Sequence, residues 1–115
     1  MFEIRHSDLL LGTSALEDGD PSMGCAEGAL IPSDGFNQFK TTVPPENDGD
    51  DAIKRWIGLT VVTETGETID FHDVVLTEVD FGNEVELRVD VLGIPAKQYE
   101  ALFPNHWQTY ESRLN

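Results

Sequence analysis

The side chains best suited to chemistry in this chain are 22 carboxylates, three histidines and a single cysteine. The densest carboxylate group lies in ENDGDDAIKRW, where Glu46, Asp48, Asp50 and Asp51 precede Lys54, Arg55 and Trp56. A helix-flanked calcium loop needs oxygen ligands at its first, third and fifth positions, glycine at the sixth and glutamate at the twelfth. Counting from Asp48 puts Ala52 fifth and Ile53 sixth. Counting from Asp18 keeps Asp20 and Ser22 in step but puts Met23 sixth and Ala29 twelfth. Both segments read as solvated turns. The first is also offset by Lys40, Lys54 and Arg55, which makes it a linker or a rim.

Nucleophilic chemistry would need Cys25 beside a base and an orienting acid, with the pair His72-Asp73 as the nearest candidate. Adjacent strand residues point to opposite faces, so Asp73 cannot orient His72 there. No local signature frames Cys25, which reads as a structural residue. A lone cysteine also excludes an intramolecular disulfide and a cysteine-built zinc site. No glycine-rich loop joins a strand to a helix as phosphate binding requires. The residues therefore predict no enzyme, no cofactor and no metal.

Charge narrows the partners. Seven bases against 22 acids leave a formal net charge of −15, a field that repels nucleic acid and anionic membranes and attracts basic proteins. Residues 64–90 hold the highest density, nine acids with Arg88 alone, and residues 1–35 hold seven acids with Arg5 alone. No basic start followed by an apolar run opens the chain, and no window approaches a membrane span. The expectation is a cytoplasmic protein with no membrane or nucleic-acid partner.

The elements that position these charges follow from periodicity. Ile57, Leu59 and Val61 alternate, then Ile69 and Phe71 resume beyond Glu64-Thr65-Gly66. Glycine third in a three-residue loop fits a hairpin that pairs Val61 with Ile69 and Leu59 with Phe71. A second hairpin is predicted around Gly82-Asn83-Glu84, pairing Phe81 with Val85 and Val79 with Leu87. Its other face would then carry Glu78, Asp80, Glu84, Glu86, Arg88 and Asp90 toward solvent. Pro95 suits the start of a helix carrying Tyr99, Leu102 and Phe103. Pro104 opens a second helix with Trp107, Tyr110 and Leu114 on one face.

The reading is an α+β, β-rich single domain over residues 1–115. It is an antiparallel meander of about five or six strands, closed as a sandwich or an open half-barrel, with short C-terminal helices packed on the sheet. Strands are predicted over 2–11, 23–31, 55–63, 67–72, 74–81 and 85–92, helices over 95–103 and 104–112, and a long loop over 32–54. The acidic face, Glu78, Asp80, Glu84, Glu86 and Asp90 with Glu64, Glu67 and Asp70 as a rim, would dock a basic protein, as an immunity or inhibitor protein masks the positive groove of a toxin. The alternative is an accessory domain whose acidity serves solubility and whose working surface is the aromatic stripe of Trp107 and Tyr110.

Overall fold

A computed structural model describes residues 1–46, 53–69, 73–106 and 108. The chain is an antiparallel β protein with short helices against its sheets. The first sheet contains β1 (Phe2–His6), β2 (Leu9–Ser14), β5 (Ile31–Pro32) and β7 (Thr60–Val62), in the order β5-β2-β1-β7. The second contains β3 (Asp18–Asp20), β4 (Cys25–Ala29), β6 (Ile53–Trp56), β8 (Asp73–Asp80) and β9 (Val85–Leu92), in the order β3-β4-β9-β8-β6. Ile4, Leu11 and Val61 from the first sheet and Leu76, Val89 and Val91 from the second belong to one buried apolar cluster. Among the described residues, no helix is long and apolar enough to cross a membrane.

The predicted strand 2–11 is a hairpin, β1 and β2, turned at Ser7, whose φ is 53°. The predicted strand 55–63 is also two strands, and they lie in different sheets. Gly58, at φ 73°, takes the chain from β6 to β7. Trp56 is buried before the bend and Leu59 after it, while Ile57 is exposed, so the period of two holds only from Leu59 onward. Beyond β7 the three-residue loop forms as spaced. Thr63 donates to the Glu67 carbonyl at 2.8 Å, Ile69 to the Val61 carbonyl at 3.0 Å, and Gly66 has φ 89°. Phe71, the predicted partner of Leu59, lies outside the described residues.

The span 32–54, read as a long loop, contains α1 (Asp34–Thr42). Gly35, Asn37 and two threonines lower its intrinsic propensity, and burial of Phe36 and Phe39 on one face compensates. A Cβ at position 35 would collide with the Leu10 carbonyl oxygen, so glycine lets the helix lie directly against β2. The indole of Trp56 sits under this helix. Its Nε1 donates to the Val43 carbonyl at 3.0 Å, and its rings lie 5.9 Å from Phe36 and 5.7 Å from Phe39. Ala96–Leu102 forms α2, which buries Tyr99, and residues 104–106 are again helical.

Candidate functional site

The predicted acidic face is divided by the true register of β8 and β9. Asp80 stands opposite Val85, Val79 opposite Glu86 and Glu78 opposite Leu87. Phe81 donates to the Glu84 carbonyl at 2.9 Å, which leaves Gly82-Asn83 as a two-residue turn, and Gly82 takes φ 92° at its first position. The Asp80 carboxylate helps to set this turn by accepting the Gly82 N–H at 2.8 Å. An even loop reverses the parity of one strand relative to a three-residue loop. Val74, Leu76 and Glu78 therefore point inward with Leu87, Val89 and Val91, and Val79 points outward.

Glu78 consequently leaves the solvent face. It is 7% exposed, its Oε2 accepts from Lys40 Nζ at 2.9 Å, and Lys54 Nζ lies 4.0 Å from Oε1. A buried carboxylate is tolerated where cations and hydrogen bonds replace its water, and the two lysines meet that need. These three residues, with Asp80, Phe36 and Leu87, line a cleft of about 650 Å³ between α1 and the β8–β9 end.

The remaining predicted positions are scattered. Glu84 is exposed in the turn, Glu86 is exposed on the outer face, and Asp90 is half-buried there. Glu64 and Glu67 are exposed on the hairpin that extends the first sheet, where Glu64 pairs with the amino group of Met1. Asp70, His72, Trp107 and Tyr110, and Asp48, Asp50 and Asp51 of the acidic connection, lie outside the described residues.

What the register brings together instead is a row across three strands of the second sheet. Asp18 on β3 faces Glu27 on β4, and Glu27 faces Asp90 on β9. Neighbouring strands run about 4.8 Å apart, so three like charges stand in line. Glu86, four residues before Asp90 on β9, extends the same face. Arg88 reaches into it, 3.9 Å from Glu27 and 3.8 Å from Glu86. In the sequence Asp18 stood out only as the start of a failed calcium loop, and Glu27 only as part of the acidic total of residues 1–35. Cross-strand partners come from remote segments, and no local pattern announces them.

The row strains its own ionisation. Burial, a hydrogen bond with Glu27 and that residue's charge together push Asp90 up to about 6, against a weaker opposing effect of Arg88. Beside it, burial raises the Cys25 thiol; a backbone hydrogen bond from Gly93 opposes that, while Asp20, Asp90 and Glu27 add to it. A thiol held protonated chiefly by burial, with carboxylates beside it, is a poor nucleophile. Among the described residues, no three histidine, cysteine, aspartate or glutamate side chains form a metal-holding group.

Asp90 gives a pH-dependent stability of defined sign. Its folded value lies above the ordinary 3.8, so its contribution is fully present below about pH 4 and is lost as pH rises through about 6. Asp90→Asn removes that loss. The variant is expected to match the parent near pH 4 and to exceed it at pH 7.5 by about 1 kcal/mol, a value discounted for the solvent screening a half-exposed group. Urea unfolding at the two pH values measures the difference, and equal gains at both would refute it. Comparison of the chain with protein-family models, curated proteins and solved structures finds no match.

Proposed function

We propose that this chain is a small binding domain that docks a basic protein on the outer face of β3, β4 and β9. The observation that supports this is the row Asp18–Glu27–Asp90, extended by Glu86, with Arg88 as the base reaching into it. Such a row costs folding stability, and a partner's arginine or lysine set among the carboxylates would relieve it. Sites that give up stability for function commonly carry this signature. The concrete form of the reading is an inhibitor or immunity protein whose carboxylates take the places of substrate phosphates in a basic groove and speed encounter at low salt. Glu64 and Glu67 belong to the other sheet and serve as charge-matched controls.

The test immobilises the wild type, Glu27→Lys/Glu86→Lys and Glu64→Lys/Glu67→Lys, and elutes native lysate from about 50 mM to about 500 mM salt, across which screening shortens to a few ångströms. A single basic protein held by the wild type and by Glu64→Lys/Glu67→Lys, and lost from Glu27→Lys/Glu86→Lys, is the expected result. Its own activity should fall when the complex forms. Retention that ignores the Glu27 and Glu86 reversals would mean that the charge serves solvation.

A further inference from the structure

Tyr99, His106 and two backbone carbonyls form a hydrogen-bond chain whose proton count is incomplete with neutral side chains. The Tyr99 hydroxyl lies 2.8 Å from the Cys25 carbonyl oxygen and 2.9 Å from His106 Nδ1. His106 Nε2 lies 2.9 Å from the Glu17 carbonyl oxygen. Both carbonyls can only accept, so three contacts need three protons. A tyrosine hydroxyl and a neutral imidazole supply two. If Nε2 carries the ring proton and tyrosine donates to Cys25, the Nδ1 lone pair faces the tyrosine lone pairs. If tyrosine donates to Nδ1 instead, the Cys25 contact loses its proton. If Nδ1 carries the ring proton, Nε2 faces the Glu17 oxygen with no hydrogen between them. An imidazolium satisfies all three at once.

We propose that His106 is a proton-operated fastener that ties the segment after α2 to the edge strand β3. Phe103 stacks on the ring at 5.0 Å with planes 6° apart, which holds it edge-on to its partners. The β3 backbone rests on the same pair, because a Cβ at Gly19 would collide with the Tyr99 hydroxyl and lie 2.8 Å from His106 Nδ1. Opening the Glu17 contact therefore loosens the strand that carries Asp18 and Asp20. Asp20 on β3 and Cys25 on β4 act on Tyr99, Asp20, Glu27 and Asp90 act on Cys25, and α2 itself carries Lys97 and Glu100. The fastener does not depend on the docking role.

Asp90 also takes up a proton in the mildly acidic range, so the experiment uses the Asp90→Asn background. Ring nitrogens are followed by ¹⁵N NMR, and β3 amide protection by hydrogen exchange, between pH 7.5 and 5.5. The expected result is an imidazolium at the acidic end, with β3 protection rising about tenfold, the scale of one charge-assisted hydrogen bond. Tyr99→Phe removes one acceptor for the ring and one donor, so a neutral ring then suffices and the rise should shrink below twofold. His106→Gln, which donates and accepts without titrating, should also flatten it. A ring with one proton throughout, or an equal rise in Tyr99→Phe, overturns the proposal.

Discussion

Trp56→Ala is expected to lower stability by about 3–5 kcal/mol, a large fraction of the margin of about 5–15 kcal/mol typical of such domains. The indole is 2% exposed and lies between β6 and α1. Its loss leaves a cavity bounded by Phe36 and Phe39, and it strips the Val43 carbonyl of its donor. Both terms act at the same place, since α1 is a weak helix whose buried residues are Phe36 and Phe39. Trp56→Phe keeps most of the volume and loses the N–H bond, so about 1–2 kcal/mol is expected there. Urea unfolding followed by circular dichroism measures both. A loss below about 2 kcal/mol for the alanine variant would show that the helix and sheet close around the vacancy.

Lys40→Met is expected to cost about 3 kcal/mol although it alters a partly exposed residue. Methionine keeps an apolar stem near the Phe36 ring, over which Lys40 Nζ lies at 5.1 Å. What it removes is the cation 2.9 Å from the buried Glu78 carboxylate, leaving Lys54 at 4.0 Å. Breaking a buried pair by deleting one partner typically costs 3–5 kcal/mol, and the value at hand falls at the low end because Lys54 stays. Lys40→Met/Glu78→Leu removes the charge from both sides and extends the apolar face of Leu76 and Leu87. It should return to within about 1 kcal/mol of the parent. Equilibrium urea denaturation of the two variants decides: equal losses would mean that Glu78 has a role beyond charge pairing.

The two hairpins show what local sequence can and cannot specify. Between Val61 and Ile69, the glycine and the apolar alternation agree on one register, and the chain adopts it. Between β8 and β9 the same reasoning fails because Phe81 and Val85 look like core residues. Both are exposed, and Glu78 takes an inward position that only Lys40 and Lys54, from two other segments, make tolerable. Helix α1 was hidden by Gly35 and its threonines, whose poor propensity is overridden by contacts with β2 and Trp56. The antiparallel architecture was legible from periodicity. The row of Asp18, Glu27 and Asp90 was not, since strand order alone brings residues so distant in sequence together.

That strand order also governs how the chain reaches its fold. Glu3 on β1 must find Val62 on β7, and Ala26 on β4 must find Val91 on β9. Neither sheet can close from neighbouring segments, so refolding is expected on the millisecond-to-second scale of topologies dominated by remote pairings. During synthesis, at about 5–20 residues per second, β1, β2 and β4 emerge well before the strands that complete them. Nascent chains then present unpaired edges to one another. Seven acids against one base in residues 1–35 give those early segments a mutual repulsion while they wait. The same acidity that shapes the finished surface thus protects the unfinished one.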